Sequence, residues 1–164
     1  MSELAALVAA ATAGAVAPVE AAAATRPYVA LRTGSRWYAV PAAGVGEVVA
    51  LPAVTRVPAA PAHVLGLAML RARLVPVIDL ELLVTGRPTP RLERGRAVVA
   101  HAGEVELALV AVSTRGLLNL VDGDAVAAAA DRPPWVAREV ATSDTLYAVI
   151  DVARLIAHAL AGAA

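Results

Sequence analysis

The chain contains no cysteine, no phenylalanine and no lysine among its 164 residues. Without cysteine there is no disulfide, no thiolate nucleophile and no zinc–thiolate centre, and the composition is compatible with a reducing compartment. The formal net charge is zero, and the fourteen basic residues, all arginine, are scattered along the chain. The basic stripe or patch that marks a nucleic-acid surface is therefore absent, and the arginine bias reads as base composition rather than mechanism. Large aromatics are scarce: two Trp and three Tyr. Trp37, Tyr38 and Trp135 can be imagined as a stacking platform. In a chain without phenylalanine, however, they are expected to fill or cover a core. Trp37 and Tyr38 alternate on one strand, so at most one of them faces inward.

What is abundant is alanine and valine. The uncharged stretch from Leu4 to Val19 resembles a targeting or spanning segment only superficially. The chain opens Met1-Ser2-Glu3 with no positive n-region, and alanine is too weakly apolar to make a spanning helix of about 20 residues. Gly14 and Pro18 interrupt a long helix, so residues 1–25 read as an Ala-rich extension, partly helical or disordered.

From Arg26 the chain reads as short strands separated by turn-formers. Tyr28–Leu31 and Trp37–Val40 flank Thr33-Gly34-Ser35 as a hairpin, and Val45–Leu51 follows as a third strand. Leu65–Leu70 and Leu74–Ile78 form a second hairpin, and Leu80–Thr85 a short helix stopped by Gly86 and Pro88. The polar run Arg87–Gly95 marks a crossing loop. Beyond it Arg96–Ala102, Val105–Val112 and Gly116–Val121 read as strands, and Trp135–Ala141 with Leu146–Ile150 as a last hairpin. From Asp151 a helix carries Val152, Leu155, Ile156 and Ala159 on one face. Strands of this length and spacing suggest small barrels.

A search for catalytic chemistry finds little. His63, His101 and His158 have no second ligand at metal-binding spacing. No nucleophile elbow surrounds Ser113, Ser143 or Thr145, and no Gly-rich phosphate loop occurs. Asp79 and Asp151 are a conceivable carboxylate pair. Each also stands just before a helix, where an aspartate caps the first turn for typically ~1 kcal/mol, and that reading is preferred. An enzyme is not expected, and no cofactor or metal is implied.

The most informative stretch is Val57–Leu80, where Arg71, Ala72 and Arg73 form a cationic tip between two apolar strands. An arginine offers a planar multi-donor head on a stem that also packs, which suits a docking surface. The residues Gly66 to Leu80 resemble the signature of the bacterial chemotaxis coupling protein family CheW, G-h-h-N-L-R-G-x-h-h-P-h-h-D-L, where h is apolar. Met69 stands for the family Asn and Ala72 for its second Gly. The tail from Trp135 to Ile156 is similar to the family pattern without a gap, with Arg138 where the family commonly has Gly. The family's V-D-G-V turn after the central hairpin is replaced by Val110-Ala111-Val112-Ser113-Thr114.

The resemblance implies a mostly β fold of two packed five-stranded SH3-like barrels, with a short mid-chain helix and a C-terminal helix. It places the domain at residues 26–162: roughly 26–90 with the C-terminal helix as one barrel region, and 95–150 as the other. It implies a non-catalytic cytoplasmic scaffold that couples the cytoplasmic tips of methyl-accepting chemoreceptors to a CheA-type histidine kinase, with no nucleic acid and no membrane insertion. Val45, Glu47, Val48, Leu70 and Arg71 match the family's receptor-contacting positions, and Glu47 and Arg71 are expected to pair. A competing reading is a divergent CheW-like binding or regulatory module outside the receptor array, a small ligand being one candidate for what it binds. An apolar surface with a charged rim around Arg71 and Glu47 would favour docking, and a closed pocket would favour a ligand.

Overall fold

The computed structural model describes residues 24–161. The Ala-rich extension expected over residues 1–25 lies outside them except for its last two residues, and Thr25 belongs to the first strand.

The chain runs β1 (Thr25–Arg32), β2 (Trp37–Pro41), β3 (Val45–Ala50), β4 (Val54–Thr55), β5 (Val64–Leu70), β6 (Arg73–Ile78) and α1 (Leu80–Thr85). It continues through β7 (Arg96–Ala102), β8 (Val105–Ala111), β9 (Ser113–Val121), β10 (Ala125–Val126), β11 (Val136–Ala141), β12 (Leu146–Ile150) and α2 (Val152–Leu160). The strands form two six-stranded sheets, ordered β10-β11-β12-β2-β1-β9 and β3-β7-β8-β6-β5-β4.

This order corrects the expected partition at residues 90–95. The middle of the chain, β3 to β8, makes one sheet by itself, while β1 and β2 join β9 to β12 in the other. Two parallel pairings enforce the arrangement: β12 lies beside β2, and β6 beside β8. Parallel neighbours need a long crossover, so the sheets are closed by residues distant in sequence and no cut in the chain separates them. Ser113 to Arg115, which the strand pattern left between Val105–Val112 and Gly116–Val121, belong to β9 and pair with β1 at Arg32, Leu31 and Ala30.

Both faces of the inner strands are buried, which explains their nearly continuous apolar runs. Along β7, Val98 and Ala100 face a central core while Ala97 and Val99 face the middle sheet's own interior. Along β1 and β2, Val29, Leu31 and Tyr38 join the central core, whereas Ala30 and Ala39 face the other sheet's interior. The central core thus draws on both sheets and α2, with Leu107, Leu109, Trp135, Ile150 and Leu155 all fully buried. Burying a side chain of this size contributes on the order of 1.5–3 kcal/mol. Tyr38 stacks 5.8 Å from Trp135 in that core, and burial pushes its phenol up to about 12, with Arg36 opposing and Glu81 adding. Trp37, on the opposite face, is half-buried beneath Arg115.

Both helices start on the expected aspartates. The Asp79 carboxylate accepts from Leu82 N at 3.1 Å and from the hydroxyl and backbone N–H of Thr89 at 2.6 and 2.9 Å. Asp151 accepts from Arg154 N at 3.0 Å. In α2, Val152, Leu155 and Ala159 are buried and Ile156 packs partly against the central core. His63 Nε2 donates to the Ala159 carbonyl at 2.8 Å, tying the loop before β5 to the last turn of α2.

Candidate functional site

The β5–β6 hairpin pairs Leu70 with Arg73, leaving Arg71 and Ala72 as a two-residue turn. Both lie at positive φ, 45° and 65°, as the left-handed positions of a type I′ turn require. The turn geometry survives with alanine in place of glycine. Such a turn matches the strand twist and projects the Arg71 side chain away from the sheet.

Beneath the tip lies Glu47. Its Oε2 is 3.2 Å from Arg71 Nε, and its Oε1 is 4.0 Å from Arg73 Nη2. The carboxylate is only 14 % exposed, whereas the Arg71 side chain is 79 % exposed. Arg73 also donates to Glu106 at the start of β8. The expected Glu47–Arg71 pair is present, and Arg73 and Glu106 extend it into a four-residue cluster. Glu106 gave no sequence signal, because its link to the tip depends on the parallel β6–β8 pairing.

The other expected contact residues divide. Val48 is exposed at 40 %. Leu70 is buried in the middle sheet's interior, and Val45 is half-buried against the central core. Leu70 and Val45 therefore support the tip from below rather than presenting a surface. A slip between Val45 and Glu47 opposite β7 turns the two side chains to different surroundings.

Beside the tip, the outer face of the same hairpin is apolar. Met69 and Leu74 face each other across the ladder at 60 % and 63 % exposure. With Leu67, Val57 and Pro58 they line an open groove of about 570 Å³, with Arg56 at its edge. This is an apolar surface with a charged rim, not a closed pocket.

A second groove, of about 560 Å³, runs between the two sheets. Its walls carry Tyr28, Arg138, Arg26, Asp122, His101 and Asp151. His101 is the cross-strand partner of Glu106 in the β7–β8 ladder. Arg138 donates to the Tyr28 hydroxyl at 2.7 Å and pairs with Asp122, which Arg26 also approaches at 3.4 Å. Burial pulls the Arg138 guanidinium down, but its bonds to Tyr28 and Asp122 outweigh that and hold it above its ordinary value.

The carboxylates considered for acid–base chemistry do not form a pair. Asp79 is wholly buried and saturated by Leu82 and Thr89, while Asp151 lines the inter-sheet groove. Among the described residues no three His, Asp or Glu side chains gather in a metal-binding cluster. No helix there is long and apolar enough to cross a membrane.

A protein-family model described as the CheW-like domain matches residues 27–160. In fold the chain is similar to the scaffolding protein TtCheW from Thermoanaerobacter tengcongensis, with a TM-score of 0.69 at 18 % identity over 78 % of this chain and 90 % of that one. A sequence search of curated proteins gives no match.

Proposed function

As the chain belongs to the CheW-like domain family, we propose that it is a non-catalytic cytoplasmic scaffold coupling chemoreceptor tips to a CheA-type histidine kinase. The observation that carries this reading is the Arg71 tip. An exposed guanidinium is held at a strained turn by a nearly buried carboxylate, beside a solvent-facing strip of Met69 and Leu74. Apolar contact area next to an oriented arginine is the composition of an interface centre rather than of ordinary surface. The apolar strip with its charged rim favours protein docking over a small-ligand module at this place.

In this reading the receptor's helical tip lies against Arg71, Glu47 and Val48, with Leu70 and Val45 bracing them. The kinase binds elsewhere on the barrels. The test is assembly: receptor signalling fragments and kinase from the same genome, mixed with and without this chain and sedimented together. Kinase recruitment that depends on the chain supports the proposal. Equal recruitment without it refutes the proposal.

A further inference from the structure

The fold gathers at one end of the molecule five arginines that lie apart in the sequence. Arg96 opens β7 opposite Ala111, the last residue of β8, and Arg32 ends β1 opposite Ser113, the first of β9. The Val112 amide between them donates to the Arg32 carbonyl at 2.9 Å, so the two arginines flank one chain junction. Arg87, Arg91 and Arg94 belong to the loop from α1 to β7. That loop seats on the β1–β2 turn, where a Cβ on Gly34 would stand 3.0 Å from Pro90 Cδ. All five arginines are exposed.

Among the described residues none of the five is in an ion pair. The acids nearby are engaged: Glu139 by Arg36, Asp144 by Arg115, Asp79 by Leu82 and Thr89, and Glu81 by Thr33 and Ser35. Glu93 alone is left to face the five within the loop. The loop backbone is also fixed in advance. Thr89 is buried on Asp79, Leu92 packs against the middle sheet's interior, and the Gly95 carbonyl accepts from Leu51 N at 3.0 Å. Between these anchors Arg91 is held at φ 55°, an unfavourable conformation for a residue with a Cβ. A cationic surface on a fixed backbone loses little freedom when an anion binds.

The chemistry of the surface selects its partner. No large apolar side chain is exposed between Gly86 and Arg96. The surface therefore lacks the apolar centre of a folded-domain interface and the insertion that a lipid surface requires. Trp37, beside Arg32, is half-buried beneath Arg115 and is covered against stacking on a nucleobase. What is on offer is a set of guanidinium forks, each matched to a carboxylate.

We infer that this end of the chain docks an extended, Asp/Glu-rich protein segment, held by Arg32, Arg87, Arg91, Arg94 and Arg96. The surface is separate from the Arg71 tip. β6 and β8 run parallel, and the tip lies near their start with Glu106, whereas Arg96 lies at the far end of β8. The two surfaces are therefore separable by mutation.

The experiment is fluorescence-anisotropy titration of the full chain into a labelled oligoglutamate peptide, at low and raised salt, beside an oligoserine peptide of the same length. Arg91→Gln with Arg94→Gln removes two charges from the loop, and Arg94→Gln with Arg96→Gln is the second pair should the strained position perturb folding. Arg26→Gln with Arg154→Gln removes two charges elsewhere. Melting curves of each variant establish that it is folded. Wild type should bind oligoglutamate and not oligoserine, and raised salt should screen the binding. Either loop pair should lose about tenfold in affinity while the distant pair stays within about twofold of wild type. Equal losses in the loop and distant pairs would show attraction to overall charge and overturn the site. Wild type that fails to bind oligoglutamate overturns it as well. Tighter binding to an oligothymidylate of equal charge, or to phosphatidylserine vesicles, overturns the choice of a protein segment. Self-association at low salt that the loop pairs alone abolish, with oligoglutamate unbound, assigns the surface to a second copy instead.

Discussion

Glu47 Oε2 lies 3.2 Å from Arg71 Nε, with the carboxylate tucked under the hairpin tip and the guanidinium turned outward. A pair with one partner this exposed contributes only ~0–1 kcal/mol to stability. Its consequence is orientation: Glu47 fixes one edge of the guanidinium and leaves most of the head facing solvent. Glu47→Gln should leave the melting temperature within a degree or two of wild type while weakening partner binding. A large drop in melting temperature would show that the pair is structural.

Ala72 sits at φ 65°, where glycine is at ease and alanine is not. Ala72→Gly should stabilise the chain by about 0.5–1 kcal/mol, the relief of left-handed strain less the added freedom of the unfolded chain. Urea unfolding measures this. A destabilised variant would contradict the turn geometry described above.

Gly66 lies at φ 144°, and a Cβ there would stand 2.1 Å from the Thr55 carbonyl oxygen. Gly66→Ala must therefore push β4 off β5, and the expected loss exceeds ~2 kcal/mol. The lost pairing should show as fast amide exchange at Val54 and Thr55.

Glu81 of α1 accepts from the Thr33 hydroxyl at 2.5 Å and from Ser35 N at 3.1 Å, fastening the β1–β2 turn to the helix that links β6 to β7 of the middle sheet. Burial pushes its carboxyl up, but these bonds and the Gly34 and Ser35 backbone outweigh it and hold the group below its ordinary 4.5. A folded value below the unfolded one adds stability above the ordinary range, and that stability is lost as pH falls through the lower, folded value. Glu81→Gln should cost about 1–3 kcal/mol at neutral pH and flatten the acid limb of the stability–pH curve below about pH 4.5. An unchanged acid limb would show that Glu81 does not carry it.

Leu155 is fully buried in the central core that joins the two sheets to α2. Leu155→Ala should cost roughly 2–4 kcal/mol, read by denaturant unfolding. A smaller effect would mean that α2 is a loosely held appendage.

The longer strands and both helices were legible because each is a short apolar run bounded by Gly, Pro or a capping Asp, whereas the two-residue β4 and β10 were not read; Asp79 and Asp151 mark the helix starts to the residue. Assignment of strands to sheets was not legible. β1, β2, β7 and β8 are buried on both faces, so their alternation carries no information about which sheet they join. The site was half legible. Arg71 announced itself as a charge between two apolar strands, and family resemblance pointed to Glu47. Leu70 and Val45 share the same sequence neighbourhood but face inward, which local pattern at a tight turn and a bulge does not reveal. Tyr28 and Arg138 stand 110 residues apart, and nothing in either segment foretells that they meet.

The central claim is that Arg71 is an interface residue and not a structural one. Calorimetric titration of a receptor signalling-tip fragment into wild-type chain and into Arg71→Ala, with melting curves of both, tests it directly. The account predicts equal melting temperatures and a loss of about 2 kcal/mol in binding, roughly thirtyfold in Kd. Unchanged affinity in a fully folded Arg71→Ala variant would contradict it.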